Sequence, residues 1–181
     1  MKQNDEIIKV SLFGQNWNII NTKNTVLNMA TRILKKGIRQ YRDYSKYEKY
    51  SLAISYIYAS CLFADNKELN EKIECFKHAN QFKDIIVDKK EEAINVIMEE
   101  INKGNPVIAQ IKEEEANRFI VIVGFKEVRT KKKIEENDLL IMDSYDGKIK
   151  NIDSKAMHIV NGKEINKYYD GYYLKTIVKK M

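Results

Sequence analysis

Asn105-Pro106-Val107-Ile108-Ala109, Asn117-Arg118-Phe119-Ile120-Val121-Ile122-Val123-Gly124-Phe125 and Leu139-Leu140-Ile141-Met142-Asp143-Ser144-Tyr145-Asp146-Gly147 are the three stretches on which the fold turns. Apolar runs of strand length separated by polar loops read as adjacent strands of a buried antiparallel sheet. Just upstream, Ala93, Ile94, Ile97, Met98 and Ile101 recur at helical spacing. Asp88 is placed to cap that helix, and Gly104 to stop it. Before it, Ile85-Ile86-Val87 makes a short strand. Downstream, residues 148–152 extend the hairpin, Asp153-Ser154 opens a short helical turn, and residues 172–178 form a final strand.

The first half reads differently. Residues 7–13 and 17–20 form a short hairpin turning at Gly14-Gln15. From Thr25, the spacing of Val26, Met29, Ala30, Ile33, Leu34 and Ile38 predicts an amphipathic helix ending near Tyr41. Ser45 followed by Glu48 has the form of a capping box, and residues 52–63 are apolar on nearly every side, which predicts the most buried helix of the molecule. A further helical segment is expected around residues 69–76. The expected class is therefore α+β, a helical half packed on an antiparallel β-sheet.

Composition narrows the possibilities. The 181 residues fit one domain, and 44% hydrophobic content supplies a core at that size. The polar start Met1-Lys2-Gln3-Asn4-Asp5-Glu6 lacks a signal-peptide core, and no run approaches the roughly 18 apolar residues of a membrane span. A cytoplasmic location without membrane contact is expected. Two cysteines, Cys61 and Cys75, are too few for a disulfide framework. Net charge is +6 against 26 acidic residues, a modest basic bias that favours an acidic partner. Nucleic acid is disfavoured as a partner, because the densest basic run, Arg129-Thr130-Lys131-Lys132-Lys133, carries no interleaved aromatics and meets Glu135-Glu136 at once.

The order and spacing of Gly104-Asn105-Pro106-Val107-Ile108, Arg118-Phe119-Ile120-Val121-Ile122-Val123-Gly124 and Ile141-Met142-Asp143 resemble the core of papain-like peptidases of the double-glycine, bacteriocin-processing kind. In that family G-x-P-V-I precedes H-F-V-V-V-G-Y and then I-x-D-P-x-x-G. The family's C-G-P-x-S-L-A-M finds its best match in Tyr47-Glu48-Lys49-Tyr50-Ser51-Leu52-Ala53-Ile54. The likeness spans residues 45–178 and implies a single papain-like domain over 1–181, with a hairpin and helix over 1–44 before the papain-like core at 45–181. It places Tyr47 at the nucleophile, Arg118 at the histidine and Asp143 at the orienting aspartate. A phenol near pKa 10 is a poor acyl-transfer nucleophile at neutral pH, short by roughly three units of ionisation. A guanidinium stays protonated and cannot act as a general base. The resemblance thus implies a non-catalytic pseudo-peptidase domain, of bacterial or phage origin, that binds a peptide or protein. Tyr47, Arg118 and Asp143 form its vestigial site, Arg118 and Asp143 pairing across neighbouring strands, and no cofactor or metal is implied. Tyr44 and Tyr50 beside Arg42 read as a contact surface, since Tyr and Arg are enriched at interfaces.

Other residues with chemical potential carry plainer readings. Cys61 would be the nucleophile of an active cysteine peptidase, the alternative enzyme reading, yet it falls about four turns past the helix start, roughly 20 Å from the catalytic position. A small core residue is the simpler role. Cys75 and His78 are half of a metal site with no second pair to complete it. His158 reads as a surface or capping residue, and Gln15 as a turn residue. A second resemblance covers the first seventy residues or so. The hairpin, the helix with Ala30 and Leu34, and the segment Ser51-Leu52-Ala53-Ile54-Ser55-Tyr56-Ile57-Tyr58-Ala59 are similar to the globular head of the ZapA cell-division family, which implies a dimerising adaptor of the bacterial division filament. The long coiled coil of that family is not in the sequence.

Overall fold

The computed structural model describes residues 7–12, 15–20, 82–113, 117–127, 133–143, 148–165, 167 and 169–177. They form nine strands of one antiparallel sheet and one α-helix. The strands are β1 (Ile7–Leu12), β2 (Gln15–Ile20), β3 (Phe82–Val87), β4 (Val107–Glu113), β5 (Asn117–Lys126), β6 (Leu139–Met142), β7 (Ile149–Asn151), β8 (Met157–Ile159) and β9 (Tyr172–Ile177). The helix α1 spans Lys90–Asn102. The main path of the sheet runs β1-β2-β5-β4-β9-β3, with β6 and β7 continuing from β5 and β8 pairing with β4.

The central strands form as their apolar runs predict. β4 pairs with β5 from Val107–Ile122 to Lys112–Asn117, and β5 pairs with β6 from Val121–Met142 to Phe125–Leu139. The register of the second pair shifts between Ile122 and Gly124, a bulge that re-aims the end of β5. Val107, Ala109 and Ile111 point to one face, where Ala93, Ile97 and Ile101 of α1 pack with Ile120, Ile122, Leu139, Ile141, Ile159 and Leu174. Ile108, Val121, Val123, Leu140 and Met142 occupy the other face and are equally buried. A strand buried on both faces loses the polar alternation that marks a half-exposed strand.

Helix α1 stops for a specific reason. Gly104 takes φ 81, its N–H donates to the carbonyl of Ile101 at 2.8 Å, and the N–H of Asn105 donates to the carbonyl of Glu100 at 2.8 Å. That pair of bonds is a Schellman closure. Where such closures bring two apolar side chains together, here Asn105 Nδ2 donates to Glu100 Oε2 at 2.9 Å. The start differs from expectation: the residue flanking the helix is Lys89 rather than Asp88, and it makes no side-chain cap. Glu91 and Glu92 still place negative charge in the first turn, where the helix dipole favours it.

The α+β papain-like expectation is overturned. The described residues are mainly antiparallel sheet with a single helix, not a helical half set against a sheet. The expected helices at residues 25–41, 46–63 and 69–76 lie outside the described residues. The expected extension of the hairpin over residues 148–152 is β7, paired with β6. Strand β8 was not expected: at three residues it is too short for periodicity to register. The β1-β2 hairpin joins the main sheet through β2 and β5 at Trp17–Lys126 to Ile19–Gly124.

Candidate functional site

Arg118 and Asp143, expected to pair from neighbouring strands, do so. Arg118 is the second residue of β5 and Asp143 follows the last residue of β6, and β5–β6 pairing brings them together. Arg118 Nη2 donates to Asp143 Oδ2 at 2.9 Å, with the two side chains 4% and 1% exposed. The same nitrogen donates to Glu113 Oε1 at 2.7 Å, and Lys150 Nζ donates to the same Asp143 oxygen at 3.0 Å. The result is a chain of alternating charge, Glu113, Arg118, Asp143, Lys150, buried in the middle and half-open at its ends. Asp143 is further fixed by its own N–H, which donates to the carbonyl of Lys148 at 2.9 Å.

Strand geometry explains the assembly. Arg118 shares the α1 face with Ile120 and Ile122, because residues two apart on a strand point the same way. Glu113 follows Ile111 on that face of β4, and Lys150 stands opposite Ile141 in the β6–β7 ladder. Four charged side chains therefore close the end of an apolar core. Glu113 and Lys150 were not anticipated from sequence. The one available signal was the short β4–β5 connection, which places Glu113 near Arg118 whenever Arg118 pairs with Ile111.

Chemically the cluster is a clamp. Arg118 donates to two carboxylates and Asp143 accepts from two cations, so each buried charge is met by opposite charge on both sides. Tyr47, the expected vestigial nucleophile, lies outside the described residues, as do Tyr44, Tyr50, Arg42, Cys61, Cys75 and His78. His158 lies on β8, half-exposed, with Nε2 3.2 Å from Glu164 Oε2. Gln15 is the first residue of β2 rather than a turn residue. Among the described residues, no three His, Cys, Asp or Glu side chains converge as a metal site. No described helix is long and apolar enough to cross a membrane.

Two further features lie outside the clamp. An open groove of about 310 Å³ lies between the start of α1 and residues 133–137, floored by Ile94 and Ile134. Its charges bind one another: Lys90 pairs with Glu136 at 3.2 Å, and Lys133 pairs with Glu91, whose carboxyl that contact holds below its ordinary range. On the face of the sheet away from α1, Lys175 Nζ donates to Asp84 Oδ1 at 2.7 Å and lies 4.8 Å over the ring of Tyr173. Tyr173 stacks against Tyr169 with centroids 5.2 Å apart, and the Tyr169 hydroxyl donates to Gln110 Oε1 at 3.0 Å. Burial, then the hydrogen bond to Asp84, push the Tyr173 phenol up to about 12.

Comparison of the chain with protein-family models, with curated proteins and with solved structures finds no match.

Proposed function

We propose that this chain is a non-catalytic module that binds a protein or peptide. The observation that supports this reading is the closed charge chain itself. Among the described residues, each charged group of the candidate site already holds an opposite charge, with Arg118 bridging Glu113 and Asp143, and Asp143 bridging Arg118 and Lys150. A buried pair serves rigidity, and the two outer members, Glu113 and Lys150, remain 34% and 37% exposed at the rim, where polar groups of a partner reach them.

The experiment has two arms. Purified chain is incubated with pooled fluorogenic peptides, and separately used to capture partners that are then measured by calorimetry. The expected outcome is no turnover together with saturable binding that weakens when the rim is reversed by Glu113→Lys with Lys150→Glu. Turnover that copurifies with the chain overturns the reading, and so does binding that is indifferent to the rim.

A further inference from the structure

Two loop segments are clasped together where the chain enters β9. The Gly162 N–H donates to the carbonyl of Gly171 at 2.9 Å, and the Gly171 N–H donates back to Asn161 Oδ1 at 3.1 Å. The same Oδ1 accepts from the N–H of Lys163 at 3.0 Å, and Asn161 forms a backbone bridge with Tyr172. Outside the clasp, Lys163 Nζ meets Asp170 Oδ2 at 2.9 Å. Gly162 is buried against Tyr169, whose ring and carbonyl oxygen occupy the space where a Cβ would stand. Packing therefore demands glycine at 162, and the clasp demands a short side-chain acceptor just before it. Of the seven glycines in the chain, Gly162 alone follows an asparagine.

That dipeptide carries chemistry of its own, because glycine offers its nitrogen to the preceding side chain without a Cβ to crowd the approach. Once the Gly162 amide gives its proton to hydroxide, its nitrogen adds to Asn161 Cγ. The Cγ–Nδ2 bond then breaks, and Nδ2 takes a proton from water and leaves as ammonia. The product is a five-membered succinimide. Water opens that ring at either carbonyl to give aspartate or iso-aspartate, so the net reaction consumes water, releases ammonia and changes no oxidation state. The clasp opposes both beginnings of this reaction. The proton that must leave Gly162 is shared with the Gly171 carbonyl. Turning Cγ toward the Gly162 nitrogen carries Oδ1 with it and gives up the donors from Lys163 and Gly171.

We propose that Asn161–Gly162 is a self-modifying site held shut by the fold, converting only in chains whose clasp between residues 161–163 and 171 has opened. This goes beyond the binding-module reading and does not depend on it. Iso-aspartate lengthens the main chain by a carbon between Val160 and Gly162, which displaces the Gly162 amide from the Gly171 carbonyl and removes the alignment of Asn161 with Tyr172. Opening is then recorded covalently, since the altered chain does not restore the clasp. Aspartate, by contrast, keeps an oxygen for both donors.

The test ages the full chain at mildly alkaline pH, folded in buffer and unfolded in urea, and reads conversion at each asparagine by peptide mapping and mass spectrometry. Hydrogen exchange of the Gly162 amide in the same buffer measures opening independently, because it too requires that amide to be freed. In urea, Asn161 is expected to convert ahead of the other asparagines. In the folded chain its conversion should be roughly tenfold to hundredfold slower, by the same factor that slows Gly162 exchange. Chain converted to iso-aspartate in urea and then refolded should lack protection at Gly162, whereas Asn161→Asp retains it. Folded chain that converts as fast as unfolded chain overturns the proposal, as does another asparagine leading in urea or protection of Gly162 that survives iso-aspartate. Conversion faster than Gly162 exchange allows overturns it as well, for the donors from Lys163 and Gly171 would then be assisting the attack as an oxyanion hole instead of restraining it.

Discussion

Arg118 Nη2 and Asp143 Oδ2 meet 2.9 Å apart with 4% and 1% of their side chains exposed, so each is the other's answer to burial. Removing one partner of such a pair strands a charge and costs about 3–5 kcal/mol. Because Lys150 still bonds Asp143 at 3.0 Å, Arg118→Ala is expected to lose less than that, about 1–3 kcal/mol, in urea unfolding monitored by circular dichroism. The paired change Arg118→Met with Asp143→Leu should lie closer to the original stability than either single change does, because hydrophobic replacement of a buried pair avoids the stranded charge. A double variant as unstable as the sum of the singles would show that the two residues act independently.

Tyr173 should titrate late. Its phenol moves from 10.0 to about 12, burial being the larger cause and the hydrogen bond to Asp84 the next. A folded value above the unfolded one means this contribution to stability is fully present below pH 10 and is lost as pH rises towards 12. Tyrosinate absorbance of single Tyr→Phe variants identifies the late component. Asp84→Asn is expected to lower the Tyr173 midpoint without returning it to 10, since burial remains.

The carboxyl of Asp84 moves the other way. Burial alone would raise it, but hydrogen bonds from Lys175 and Tyr173, together with the Lys175 charge, bring it below 3.8. Its contribution is present above the unfolded value and disappears as pH falls through the lower folded one. Side-chain carbon shifts measured against pH should give a midpoint that rises in Lys175→Met. A midpoint that stays depressed would remove Lys175 as the cause.

Gly162 leaves no room for a side chain. A Cβ there would lie 2.3 Å from Cε2 and 2.5 Å from the carbonyl oxygen of Tyr169. Gly162→Ala should destabilise by about 1–3 kcal/mol through overpacking, read as a lower midpoint in thermal unfolding. Adding Tyr169→Ala relieves the ring and leaves the backbone contact, so rescue should be partial.

The legible part of the fold was the part whose local signal agrees with its tertiary setting. β4, β5 and β6 carry apolar runs that admit one reading, and Gly104 ends α1 because only a residue tolerant of positive φ closes it this way. The Arg118–Asp143 pair was readable because two charges in otherwise apolar strands need each other. Architecture was less readable. β8 owes its existence to its partner β4 rather than to any pattern of its own, and Lys89 rather than Asp88 flanks the helix. Glu113 and Lys150 look like surface charges until the register is known.

The order of strands in the sheet sets an order in time. β9 lies between β4 and β3, so β3 waits for a neighbour that leaves the ribosome about half a chain later, and β2 waits similarly for the end of β5. A nascent chain that has already zipped β4 to β5 must keep the far side of β4 open for β9. Pairings this remote in sequence slow folding and prolong the exposure of unpaired strands to other molecules. Expression at lower temperature, or with holdase chaperones in excess, should raise the soluble fraction more than any strengthening of the β4–β5 hairpin.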